Sequence, residues 1–152
     1  MHRYEMPHLF SYSATLAPPE VIGPVPEGLR VNFYITGGEL RGPLACGRLR
    51  PVGADWVLLS RDGVGHMNVR ATAELQDGAL VYLQYTGILD LGTNGYEDFI
   101  AGRLPPRAAL RTSIRMSTAH PEHAQLNRLL CIGVGEADFG SLSVDYDVYA
   151  VR

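Results

Sequence analysis

Lysine is absent from the chain: all thirteen basic residues are arginine. Schiff-base catalysis and a pyridoxal phosphate anchor both need an ε-amine and are excluded. Bidentate recognition of a carboxylate or phenolate stays well provided for. Cysteine is almost as scarce. Cys46 and Cys131 stand in apolar runs with neither CxxC spacing nor a disulfide framework, and read as buried, inert thiols. No apolar run approaches the roughly eighteen residues of a membrane span, and no basic-then-apolar leader opens the chain, so a cytoplasmic protein is expected. A net charge of −3 supplies no basic stripe, and nucleic acid is not an expected partner. Of the five histidines only His120-Pro-Glu-His123 has a suggestive spacing. With no third ligand in view it reads as a surface turn, and neither a metal nor a redox cofactor is expected.

What is present is the composition of an ordinary globule, 46% hydrophobic and 19% charged, over a length of 152 residues that suits one domain, 1–152. The most regular stretch runs from Asp55 to Gly87. It holds three β-forming segments separated by Asp62-Gly63 and Asp77-Gly78, and an Asp-Gly pair between alternating runs is a strong hairpin signal. Two-residue turns would set Asp55 opposite Arg70 and Arg70 opposite Tyr85, one row across three strands. His66, Asn68, Thr72, Val57, Leu59 and Leu83 would share that face. Trp56, Leu58, Met67, Val69, Ala71, Leu80 and Tyr82 would form an apolar face behind it.

The remaining chain adds strands at 9–16, 29–36, 39–50, 107–118, 130–134 and 142–151. Phe10, Tyr12, Ala14 and Leu16 lie on one side of the first. The proline-rich span 17–28 reads as an extended connection, and residues 51–54 read as a turn. Residues 90–106 form a glycine-rich loop, a lid candidate with one helical turn at 96–100. A short helix is expected over 120–129. About nine strands without βαβ alternation predict an all-β fold, a single antiparallel β-barrel closed at glycine kinks.

Gly37-Gly38-Glu39-Leu40-Arg41-Gly42-Pro43, Gly53-Ala54-Asp55-Trp56, Asp62-Gly63, Asn68-Val-Arg70, Asp77-Gly78-Ala79 and Tyr85-Thr-Gly87 occur in that order. Ile114-Arg115, Leu126-Asn127-Arg128 and a closing Val-Asp-Tyr-Asp-Val-Tyr follow. In these motifs the chain resembles domain of unknown function family 3237, also called uncharacterised protein family 0311, over nearly its whole length. The resemblance implies a barrel of the allene-oxide-cyclase and lipocalin-like kind, holding a small, largely apolar molecule. The chain departs from that family in having Asn68 where Asp is usual and Gln125 where an aromatic residue is usual.

The function these readings favour is a cofactor-independent cyclase or isomerase. Its substrate would be a small hydrophobic, oxygenated metabolite, phenolic or carbonyl-conjugated, held inside the barrel. Asp55, His66, Arg70 and Tyr85 are the catalytic candidates. His66 would move the proton by virtue of its ordinary pKa near 6.5, while Arg70 with Asn68 or Tyr85 would hold a developing oxyanion. Tyr34, Trp56, Asn68 and Arg115 are the substrate-binding candidates. The alternatives are a noncatalytic carrier of such a molecule and a structural subunit with a filled barrel. Self-association into a homodimer or other homo-oligomer is compatible with each.

Overall fold

Alternating apolar and polar residues produce nine strands in the computed structural model, which covers residues 1–152. They are β1 (His8–Leu16), β2 (Glu20–Val25), β3 (Gly28–Arg41), β4 (Gly47–Leu59), β5 (Val64–Leu75), β6 (Leu80–Asp90), β7 (Arg107–Ser117), β8 (Leu130–Asp138) and β9 (Ser143–Ala150). Helix α1 (Gly95–Ile100) interrupts the β6–β7 connection, and a 3₁₀ helix, Pro121–Arg128, lies between β7 and β8. Neither helix is long and apolar enough to cross a membrane.

From β3 to β9 each strand pairs antiparallel with the next, β9 pairs with β1, and β1 returns to β3. The eight strands so linked form a closed barrel, and β2 is an extra strand on the first half of β3. Closure removes unpaired edges from the circuit. The proline-rich span therefore contains a strand, Glu20–Val25, where the sequence suggested only a connection. Its edge position lets Pro24 sit there without breaking a central ladder. A second boundary also moves. The chain turns at 42–46, and residues 51–54 lie within β4, whose pairing jumps from Leu49–Ala73 to Gly53–Ala71 across a bulge.

The register of the central strands differs by one residue from that given by two-residue turns. Asp55 pairs with Val69 and Ala54 with Arg70; Val69 in turn pairs with Tyr85. Both turns are three residues long. Ser60 N–H donates to the Val64 carbonyl around Arg61-Asp62-Gly63, and Leu75 N–H donates to the Ala79 carbonyl around Gln76-Asp77-Gly78. Gly63 and Gly78 have φ of 85° and 83°, the left-handed residue that ends a type I turn with a bulge. Asp62 and Asp77 fold their carboxylates back onto the Val64 and Ala79 N–H groups.

Because side chains alternate with period two, this slip turns β5 over relative to its neighbours. Met67, Val69, Ala71 and Ala73 face the interior with Val57, Leu59, Leu83 and Tyr85, all buried. His66, Asn68, Arg70 and Thr72 face outward. The interior core extends through Phe10, Tyr12, Ala14, Leu110, Ile114, Tyr146 and Val148. A smaller cluster of Leu29, Val31, Phe33, Val57 and Leu59 receives Tyr96 from α1. Residues 90–106 thus contain the expected helical turn and pack its aromatic ring on the core, with the Arg61 guanidinium 5.2 Å from the Tyr96 ring centre.

Candidate functional site

The two slips cancel between β4 and β6, so Asp55 and Tyr85 remain in one row with Val69 between them. Both line a narrow cavity of about 50 Å³ inside the barrel. Its apolar wall includes Phe33, Val57, Met67 and Leu110, and its rim carries Phe139 and Leu142 from the β8–β9 turn. Leu142 has a φ of 52°, unusual for a residue with a Cβ. Its carbonyl accepts from Leu16 N–H, which fixes that turn against the end of β1.

Asp55 is only half-buried by residue surface, but its open surface borders this cavity. Desolvation of the carboxyl raises its pKa from 3.8 to about 7, against the opposing effect of a hydrogen bond from the Asn68 N–H. That bond is 2.9 Å long. It replaces a ladder bond: the regular pairs stop between Asp55–Val69 and Leu58–His66, and the Trp56 carbonyl instead accepts from Arg30 Nη1. Asp55 is therefore anchored by the backbone of β5, with no guanidinium beside it.

Tyr85 and Tyr146 line the cavity with this carboxyl, and Tyr12 packs against both. Tyr12 Oη donates to Tyr85 Oη at 2.9 Å, Tyr12 and Tyr146 stack with ring centres 4.9 Å apart, and Tyr146 Oη donates to Met67 Sδ at 3.9 Å. Burial, then the neighbouring phenols and Asp55, push the Tyr12 hydroxyl well up, and burial leads likewise for Tyr146. The Tyr85 hydroxyl is also raised, chiefly by burial. All three stay protonated at neutral pH and serve as donors rather than bases. With its oxygen accepting from Tyr12, Tyr85 keeps its own proton to donate. Thr112 adds a buried hydroxyl without a hydrogen-bond partner, beside Gly133 and the Tyr146 ring.

Of the catalytic candidates, Asp55 and Tyr85 meet in the cavity and His66 and Arg70 do not. His66 is exposed, 3.3 Å from Ser60 Oγ. Arg70 donates to Asn68 Oδ1 at 2.5 Å and to the Val69 carbonyl on the barrel's outer surface. The row Asp55–Arg70–Tyr85 is thus Asp55–Val69–Tyr85, because each hairpin loop has three residues. The substrate-binding candidates Tyr34, Trp56, Asn68 and Arg115 are all exposed on the outside, with the Tyr34 hydroxyl donating to Glu20. Tyr12 and Tyr146 were not among the candidates. Their signal was the alternation of Phe10, Tyr12 and Ala14, and that of Tyr146 and Val148 between Asp145 and Asp147. The histidine pair also gains what the sequence lacked, since Asp77 lies within reach of His120 and His123.

Comparison with known proteins adds four findings. The family model described as "Protein of unknown function (DUF3237)" matches residues 5–151. A UPF0311 protein of Rhodopseudomonas palustris strain TIE-1 is 28% identical over 131 residues, 85% of this chain and 86% of that protein. Among solved structures, a β-barrel-like protein from Acinetobacter baumannii superposes with a TM-score of 0.83 at 26% identity, covering 100% of this chain and 98% of the other. An enzyme from Penicillium herquei shares the fold at a TM-score of 0.72 and 16% identity, covering 100% of this chain and 97% of that one.

Proposed function

The chain belongs to the DUF3237 family, and from that premise we propose that it is a cofactor-independent isomerase or cyclase acting by proton transfer inside the barrel. The observation that carries this reading is the placing of Asp55, whose burial pushes its pKa up to about 7, in an apolar cavity lined by Tyr85 and Tyr146, with Tyr12 hydrogen-bonded to Tyr85 behind them. A group titrating near neutrality is present in both forms, so it can remove a proton at one atom of a substrate and return it at another. Asp55 fills that role. The Tyr85 hydroxyl, raised in pKa and free to donate, holds the oxygen on which negative charge develops; Tyr146 lines the same space. An enzyme from Penicillium herquei has the same fold, which supports catalysis in such a barrel.

The lining selects a small, largely apolar molecule carrying a carbonyl or phenolic oxygen. Ligand cavities commonly measure about 300–1,000 Å³, so a cavity of about 50 Å³ admits such a substrate only as Phe139 and Leu142 move outward. Their return over the bound molecule gives it a dry enclosure, in which shape and desolvation supply much of the catalysis.

The test is incubation with a panel of phenolic and enone metabolites, followed by mass spectrometry and chromatography against a no-protein control. Product of unchanged mass and altered retention is expected. Asp55→Asn should lower turnover by about 10²–10⁴-fold while substrate affinity stays within about tenfold, 1.4 kcal/mol. Ligand bound but returned unaltered by the wild-type protein would identify a carrier instead.

A further inference from the structure

We propose that Asp77, His120 and His123 form a binding site for a divalent transition-metal ion, Zn²⁺ in the first instance, that ties the β5–β6 hairpin to the β7–β8 connection. One potential ligand atom from each residue lies within 4.8 Å of the others. His123 Nε2 is 2.6 Å from Asp77 Oδ2, and the two imidazole rings are 5.1 Å apart at 39°. The local geometry produces this grouping. His120 caps a 3₁₀ helix and His123 lies three residues later, and three residues per turn place such side chains one above the other. Asp77 arrives from a different part of the sequence, at the tip of the β5–β6 turn. Its Oδ1 is occupied by the Ala79 N–H, leaving Oδ2 directed to His123.

The surroundings hold these donors in place. Thr118 Oγ1 donates to the Leu80 carbonyl and accepts from His120 N–H, fixing the start of the 3₁₀ helix to β6. Asn127 then clamps the segment from its other end, accepting from Thr118 N–H and donating to the Thr118 carbonyl. His120 Nδ1 is buried with no hydrogen-bond partner. A polar atom left so is expected to be satisfied by something outside the chain, and an ion coordinated by His120 through that nitrogen would satisfy it.

Two imidazoles and one carboxylate suit Zn²⁺, Co²⁺ or Ni²⁺ rather than Mg²⁺ or Ca²⁺, which prefer oxygen ligands. Ligand bonds to Zn²⁺ of about 2.0–2.2 Å require only small side-chain rotations from the observed spacing. On binding, the ion replaces the proton between His123 Nε2 and Asp77 Oδ2; neutral His123 keeps its one ring proton, now on Nδ1, and coordinates through Nε2. None of the three residues lines the Asp55 cavity, so the ion would act as a clamp at a separate place on the barrel.

The test uses the full-length protein stripped of metal with a chelator, then titrated with Zn²⁺ by calorimetry and with Co²⁺ by absorption spectroscopy. One saturable Zn²⁺ per chain, a raised Tm and Co²⁺ ligand-field bands abolished by excess Zn²⁺ are expected. His123→Gln and Asp77→Asn should each weaken Zn²⁺ binding by at least about tenfold, as even partners of metal ligands do; His66→Ala should leave it unchanged. Should a variant fail to fold, ring NMR of the wild-type protein decides, because Zn²⁺ must shift two histidines and leave the other three in place. Absence of saturable binding, binding undiminished in the folded variants, or movement of other histidines would overturn the proposal.

Discussion

Asp55 shows how one residue's environment fixes both its chemistry and its cost to stability. Burial raises its folded-state pKa to about 7 from a usual 3.8. Between those values the folded protein binds a proton that the unfolded chain has released. Stability therefore falls as pH rises through this window and levels off above about pH 7. The loss across the window is on the order of 4 kcal/mol, at about 1.4 kcal/mol per pH unit. Asn cannot ionise and can still accept from the Asn68 N–H. Asp55→Asn should accordingly be the more stable protein at pH 8 and differ little near pH 4, as urea unfolding across that range would reveal. A wild-type stability that does not fall between pH 4 and 7 more than that of Asp55→Asn would contradict this account. The destabilisation at neutral pH is the reason to look for a role in that carboxyl rather than in the outward-facing Arg70.

The elements that decide what surrounds Asp55 are two hairpin loops of the same type. Each ends in glycine at a left-handed φ, yet their settings differ. A Cβ at Gly78 would meet nothing within 4 Å, whereas one at Gly63 would lie 1.7 Å from the Gly92 carbonyl oxygen. Gly78→Ala should cost only the conformational strain, about 1–2 kcal/mol. Gly63→Ala must also displace the β6–α1 connection, where Leu91 N–H donates to the Gly63 carbonyl. It should lose several times more stability, or fail to fold. Equal midpoints for the two variants in chemical denaturation would be incompatible with the packing described. The Asp-Gly pairs were legible as hairpins in the sequence, but loop length was not. A type I turn with a bulge and a two-residue type I′ turn both favour the same dipeptide, and one residue's difference inverts a strand.

For the molecule as a whole, closure of eight strands leaves an interior largely filled by its own side chains, with a small cavity between the main core and the cluster under Tyr96. A ligand that enters binds the folded state alone and must stabilise it. At one hundred times its Kd the gain is about 2.7 kcal/mol. For a domain of this size that corresponds to a Tm increase of roughly 5–10 °C. A thermal-shift screen of small phenols and enones should find such compounds, and Asp55→Asn should keep most of the shift while losing turnover. Compounds that raise Tm equally after Phe139 and Leu142 are enlarged to block the cavity would be binding elsewhere.

The sequence by itself determined the class of the fold, most strand positions, the hairpin order and the shared side of Phe10, Tyr12 and Ala14, because these follow from period-two alternation and turn residues within short windows. It also paired Asp55 with Tyr85, although only through two compensating one-residue slips. Tertiary structure alone decided that His66, Asn68 and Arg70 face outward, that Tyr146 and Tyr12 join Tyr85 inside, and that Asp77 meets His120 and His123. Each depends on strand register or on contacts between distant segments. Register is fixed by the closed hydrogen-bond circuit and the loops that join it, whereas alternation says only that neighbours point to opposite sides, leaving open which side is in.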